Sequence, residues 1–210
     1  IFISCENSKV NSENIFRYNE YSNISSLDPV FSSTLRNIWP CNQIFNGLVR
    51  MDNNLNVVPD IAETWTISAD KKTYTFKLKN GIYFHESEFF ENGQSRNVNA
   101  YDFEYSFNRL IDSDVASPGA WVMNNVESFE AINDSIFEIH LDNEFNSFLE
   151  ILTMTYCSVV PKEVVQSLGN SFSKKPIGTG PFKFKRWDEN IKLVLVCLLY
   201  TSPSPRDRLK

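Results

Sequence analysis

Apolar and polar residues alternate along residues 73–79, where Tyr74, Phe76 and Leu78 fall between Thr73, Thr75, Lys77 and Lys79. A period of two puts the three apolar side chains on one face of a β-strand and the polar ones on the other. Residues 64–67 read as a partner strand, and Ser68-Ala69-Asp70-Lys71-Lys72 as the turn between them. A second hairpin is predicted over residues 126–132 and 135–141, turning at Asn133-Asp134. Its second strand points Phe137, Ile139 and Leu141 one way and Glu138 and His140 the other. A third hairpin spans residues 182–187 and 191–196 around Asp188-Glu189-Asn190. Further strands are expected at residues 14–18, at 156–160 and within 57–84.

The period becomes helical after residue 99. Phe103, Phe107, Leu110 and Ile111 recur at the spacing of one helix face. Asn99 is placed to cap that helix, with Asp102 as its reciprocal partner. Asp112-Ser113-Asp114 ends it, and Ser117-Pro118-Gly119 forms a loop that presents Trp121. Residues 32–46 are expected to be mostly helical, with Ile38, Phe45 and Leu48 on the apolar side and a kink or split at Pro40. Residues 145–154 read as another helix. A last one covers 162–168, opened by Pro161 at its first position and stopped by Gly169. Residues 22–29, 85–97 and 170–175 are polar loops. No repeat with a period of about 20–50 residues is present. The fold class is therefore mixed α/β, with short strands and few helices.

Several of these segments carry specific wording. An Ala, seven residues, an Asp, two residues and then Thr73-Tyr74-x-Phe76-x-Leu78-Lys79 resembles the signature of the family 5 extracytoplasmic solute-binding proteins. These are the peptide, dipeptide and nickel receptors of bacterial ABC importers. Ser26-Leu27-Asp28-Pro29 is similar to that family's first ligand-side loop, and the run from Gln43 to Val49 to the segment leading into its first hairpin. The run from Asn99 to Phe107 is similar to the family's helix opening. Val160-Pro161-Lys162 and Gly178-Thr179-Gly180-Pro181-Phe182 follow in the family's order. Six ordered blocks thus span residues 14–196.

The resemblance implies a periplasmic-binding-protein-like type II lobe carrying a small inserted domain, in a sequence that stops before the second lobe. Residues 10–47 and 170–196 would form the first part of lobe I, and 48–169 the inserted domain. The start, Ile1-Phe2-Ile3-Ser4-Cys5, is similar to the end of a lipoprotein signal peptide, although Phe2 stands where such motifs favour Leu. On that reading residues 1–9 are a signal remnant and tether, and Cys5 carries the lipid that holds the protein at the membrane. At the other end the family motif breaks off after Val196. Residues 197–210 resemble translated sequencing adapter and are kept out of the fold.

Composition narrows the function. Seventeen Phe in 210 residues supply large apolar pieces for a core. A formal net charge of −6 argues against a nucleic-acid partner, which needs clustered Lys and Arg. No apolar run is long enough to span a bilayer. Cys41 and Cys157 either pair or remain as two buried free thiols.

The chemistry-bearing residues point away from catalysis. His140 sits on the polar face of a strand, as a solvated residue. His85, with Glu86, Glu88 and Glu91 nearby, reads as part of a solvated acidic loop rather than a metal site. No Ser lies in a G-x-S-x-G elbow. Gly178-Thr179-Gly180 lacks the Gly-Lys-Ser/Thr of a phosphate loop and is expected to serve backbone geometry at a strand entry. Neither an enzyme activity nor a cofactor nor a metal is therefore expected.

The resemblance implies instead a lipid-anchored binding protein in the periplasm or cell envelope. It would capture oligopeptides or dipeptides in an interdomain cleft and deliver them to an ABC permease and ATPase. Tyr21, Asn23 and Ile24 would face the ligand from the first loop, Trp121 from the loop after Ser117-Pro118, and Met154 and Tyr156 from the segment before Val160-Pro161-Lys162. Nickel, haem or oligosaccharide are alternative ligands on the same scaffold, and a non-transport signalling or chaperone-like lipoprotein is an alternative role.

Overall fold

The computed structural model describes residues 15–198. In chain order these residues form α1 (Leu35–Ile44), β1 (Val49–Met51), β2 (Val57–Pro59), β3 (Ala62–Ile67), β4 (Thr73–Leu78), α2 (Ala100–Ile111), β5 (Val126–Asn133), β6 (Ile136–Leu141), α3 (Phe148–Ile151), α4 (Lys162–Leu168), β7 (Phe182–Asp188) and β8 (Lys192–Cys197). The strands make two antiparallel pairs, β1-β2 and β7-β8, and one antiparallel sheet in the order β3-β4-β6-β5. Cys5 and residues 199–210 lie outside the described residues, whereas Cys197 pairs with Phe182 at the end of β8.

The four-stranded sheet follows from the alternation. Tyr74, Phe76 and Leu78 are buried, as are Phe137, Ile139 and Leu141. Phe76 stands opposite both Trp65 and Phe137, and Tyr74 opposite Ile67 and Ile139, so the apolar positions share one face. Helix α2 covers that face. The Phe107 ring meets Phe137 at 5.5 Å and Phe129 at 5.6 Å, edge to face in both cases, and Phe103 meets Phe137 at 6.0 Å. Each buried ring stabilises the fold by about 2–3 kcal/mol. The predicted capping box opens α2: the Asp102 amide donates to Asn99 Oδ1 at 3.2 Å, and the Asn99 amide to Asp102 Oδ2 at 3.0 Å.

Several expectations fail, and each failure has a physical reason. Residues 15–18 form no strand; Ile15, Phe16 and Tyr18 are exposed, and nothing pairs with their backbone in a ladder. Helix α1 is not split by Pro40, because Cys41 and Ile44 on its inner side are fully buried and hold it together. Ile111 points outward, about half exposed, and Leu110 ends the buried stripe of α2. Only four residues of the expected 145–154 helix are α-helical. Residues 156–160 form no strand. A 3₁₀ turn, Thr155–Cys157, leads into extended chain whose amides reach the Asn46 carbonyl and the Ser106 hydroxyl instead of a neighbouring strand. Pro161 stands at the N-cap of α4, one position earlier than expected.

Loop 85–97 carries the largest correction: Glu86, Glu88 and Glu91 are exposed as expected, but His85 is not solvated. That residue is only 4 % exposed. Its amide donates to the Gly178 carbonyl at 2.8 Å, and its Nε2 lies 2.8 Å from the Gly180 carbonyl. Burial holds the imidazole below its ordinary pKa, the hydrogen bond to Gly180 opposing and nearby Lys183 reinforcing the shift. The same crossing explains both glycines. The Gly180 amide donates to the Ile44 carbonyl at 2.7 Å. A Cβ on Gly178 would lie 2.1 Å from that oxygen, and one on Gly180 2.4 Å from the Gln43 oxygen. Close backbone approach, not a phosphate, is what the Gly-Thr-Gly run serves.

Arg96 closes the far end of that loop. Its guanidinium binds both oxygens of Asp102 and both of Glu163, and donates to the Asn97 carbonyl. It also lies 5.0 Å above the Phe84 ring and 5.4 Å above Phe90. One side chain therefore ties the loop to the starts of α2 and α4. Cys41 and Cys157 are both free and buried, so the open choice between a disulfide and two thiols resolves to thiols, each pushed up to about 12 by burial.

Candidate ligand-binding wall

Three of the expected site residues come from neighbouring elements. The loop around Gly119 is anchored by Ser117, whose hydroxyl donates to the Val30 carbonyl at 2.6 Å and accepts from the Gly119 amide at 3.0 Å. The Thr155–Cys157 turn is anchored by Thr155, whose hydroxyl donates to Asn42 Oδ1 of α1 at 2.7 Å. Between these anchors the ring of Tyr156 rests on Gly119. Trp121, two residues further along the loop, is 48 % exposed, and Met154 is 39 % exposed.

The polar tips of Trp121 and Tyr156 are unpartnered among the described residues. Neither the Trp121 indole nor the Tyr156 phenol makes a hydrogen bond to any described residue. Burial raises the Tyr156 pKa, so the phenol stays protonated and able to donate. Two aromatic rings, a thioether and two free donors suit a ligand that offers apolar groups and carbonyl oxygens.

The first-loop residues sit differently. Tyr21 is almost wholly exposed, Asn23 is exposed, and Ile24 is partly buried against the core. This segment is tied to the start of α1, not to the Trp121 loop. Arg36 donates to the Ser22 hydroxyl at 2.6 Å, and Asn37 Oδ1 accepts from the Ser25 amide at 3.1 Å. No hydrogen bond or ring contact joins Tyr21 or Asn23 to Trp121, Met154 or Tyr156. Leu27, expected at the edge of the ligand-facing loop, is fully buried, and Asp28 forms a buried two-pronged ion pair with Arg109. Ser26-Leu27-Asp28-Pro29 therefore anchors the loop through Leu27 and the Asp28–Arg109 pair.

Sequence reasoning missed two features. One is Gly119, whose role depends on a ring 37 positions away. The other is an open cleft of about 1120 Å³ between residues 25–37, the end of α2 and α4. Asp28, Arg36, Asn37, Tyr105, Arg109 and Gln166 line it, and none of the six expected site residues does. No local signal marks either, since both are assembled from distant segments. Among the described residues one group of metal-capable side chains occurs, Glu130, Glu138 and His140 on the outer face of the sheet. Glu138 accepts from the Thr75 hydroxyl and His140 pairs with that of Thr73, so local partners account for both.

Comparison with known proteins places the fold. Residues 56–197 match the family described as bacterial extracellular solute-binding proteins, family 5 Middle. Di/tripeptide-binding protein 1 of Pseudomonas aeruginosa is 29 % identical over 167 residues, 71 % of this chain and 31 % of the relative. Heme-binding protein A of Haemophilus influenzae is 30 % identical over 186 residues, 80 % of this chain and 34 % of the relative. Among solved structures, the periplasmic binding protein DppA of Helicobacter pylori in complex with the peptide STSA superposes with a TM-score of 0.76 at 29 % identity, covering 85 % of this chain and 38 % of that one. The chain spans about a third of the length of the curated relatives it matches. With more than half of its residues matched in the order and fold of these proteins, the chain belongs to the family 5 bacterial extracellular solute-binding proteins.

Proposed function

We propose that this chain forms part of the substrate-binding protein of an ABC importer, which captures short peptides and hands them to a permease driven by a partner ATPase. The observation that carries the reading is the set Trp121, Met154 and Tyr156 on adjoining segments, the first two exposed and the third partly buried, with two unpartnered donors, in a member of a family whose relatives include di/tripeptide-binding proteins. Tyr21, Asn23 and Ile24 contribute from the first loop. Peptide main-chain carbonyls accept from the wall's donors, and peptide side chains pack on its rings. Binding, closure of two lobes and release require no chemistry on the ligand.

Residues 10–47 and 170–196 build the first part of one lobe, and residues 48–169 the domain inserted in it. The packing of β7 on α1, and the hydrogen bond from the Leu27 amide to the Ser173 carbonyl, support that grouping. Cys5 carries the lipid that holds the protein in the cell envelope.

Thermal unfolding of the complete gene product with di-, tri- and tetrapeptide pools tests the function. Ligand at about 100 times its Kd stabilises the native state by about 2.7 kcal/mol, several degrees in Tm. A shift with at least one peptide pool is expected, and no shift with any pool overturns the reading. Similarity to Heme-binding protein A supports a second ligand, haem. A shift with hemin alone would favour it.

A further inference from the structure

Gly119 occupies a position that does not need glycine for its backbone. Its φ of −92° and ψ of 0° are open to any residue. What excludes a side chain is Tyr156. A Cβ on Gly119 would lie 2.3 Å from Tyr156 Cδ1, 2.4 Å from Cγ and 2.7 Å from Cε1. Distances that rise so slowly from atom to atom put that Cβ over the face of the ring. Carbon atoms in contact sit about 3.5–4.0 Å apart, so a methyl group at position 119 must drive the ring away from the loop by about 1 Å. The loop cannot yield first, because Ser117 fixes it to Val30 and the Gly119 carbonyl accepts from the Val122 amide. The ring is the looser partner, as no hydrogen bond from its hydroxyl holds it to the described residues.

We propose that Gly119 is a specificity-determining position that acts through Tyr156. The absent side chain lets the ring lie back on the loop. In that position Tyr156, Trp121 and Met154 present an apolar surface to a bulky or aromatic side chain of the bound peptide. Any side chain at position 119 pushes the ring forward into that space and shifts selectivity toward small residues. Gly119 is thus a positioning residue, and the proposal rests on the peptide-binding reading above.

The test compares two probes, the tripeptides Ala-Phe-Ala and Ala-Ala-Ala, by calorimetry on the complete gene product. In Gly119→Ala the affinity for Ala-Phe-Ala falls by about tenfold or more, while that for Ala-Ala-Ala changes by less than about threefold. Tyr156→Ala also removes the preference, and Gly119→Ala adds nothing in its background, because the effect runs through the ring. Tyr156→Ala creates no clash and decides the matter should Gly119→Ala fail to fold. In protein labelled with 3-fluorotyrosine, the Tyr156 fluorine resonance, assigned by Tyr156→Phe, moves in Gly119→Ala without any ligand.

If the wild type binds both tripeptides and neither variant changes their affinity ratio, the peptide reading stands and the Gly119 proposal falls. An unmoved fluorine signal overturns the positioning step by itself. If the wild type binds neither tripeptide, the selectivity claim falls and the peptide reading is decided by the peptide pools, while the fluorine signal still shows whether Gly119 sets the ring.

Discussion

Two regions treat their polar groups in opposite ways. Around Arg96 and the Gly178–Gly180 crossing, nearly every donor has a partner: Arg96 binds two carboxylates and a carbonyl, and the Gly178 and Gly180 carbonyls both meet His85. Along the Trp121–Tyr156 segments, Trp121 and Met154 stand well exposed, Tyr156 is partly buried, and the indole and phenol donors have no partner among the described residues. Saturated, buried polar groups fix a structure, because breaking them leaves charge or dipole without solvent. Unpartnered groups on an exposed apolar surface cost little in the free protein and are available to a ligand. Substitutions in the first region should therefore cost stability, and substitutions in the second should cost binding.

The largest effect is expected for Arg96→Ala. It strands the buried Asp102 carboxylate without its cation and should cost about 3–5 kcal/mol, read as a fall in Tm of about 10 °C or more. A fall of only a degree or two would show that the Arg96 network is not what secures loop 85–97. Gly178→Ala comes next, with a loss of about 1–3 kcal/mol as the new methyl group meets the Ile44 carbonyl; chemical denaturation would measure it. An unchanged midpoint would mean that the crossing has room to relax.

His85 gives a smaller effect with a defined sign. Its pKa in the fold lies below that in the unfolded chain, so between the two values the unfolded state binds the extra proton. The stability contributed by the neutral imidazole is complete above about pH 6.5 and is lost as pH falls from there toward the lowered native value. Denaturation midpoints of wild type and His85→Gln between pH 7.5 and 5, a range of about one unit above and one and a half below the free imidazole pKa, should converge on acidification. Parallel curves would break the assignment. The smallest effect on stability belongs to the wall. Trp121→Ala should leave stability within about 0.5 kcal/mol while lowering peptide affinity by about tenfold or more. A large loss of Tm with unchanged affinity would erase the distinction between the two regions.

Legibility in the sequence follows the same line. The β4 alternation, the Asn99–Asp102 capping box, the hairpin at Asn133-Asp134 and the α4 stop at Gly169 were readable because each depends on neighbours a few residues away. Residues 156–160 read as a strand by their apolar character, yet their hydrogen bonds go to Asn46 and Ser106, which no local pattern reveals. His85 looked solvated because its sequence neighbours are acidic, whereas its spatial neighbours are the carbonyls of Gly178 and Gly180, far along the chain. Of the expected site, Trp121, Met154 and Tyr156 lie on adjoining segments, while Tyr21, Asn23 and Ile24 lie on a loop tied to the start of α1.

Period and capping alone were enough to determine the α/β class and the main hairpins, since those signals are written over spans of about ten residues, and the family resemblance rested on the particular motif residues. Only the tertiary structure decided which polar residues are buried, why glycines stand at 119, 178 and 180, and which aromatic rings remain free. Those outcomes depend on close approach between segments far apart in the chain, and close approach is settled by packing.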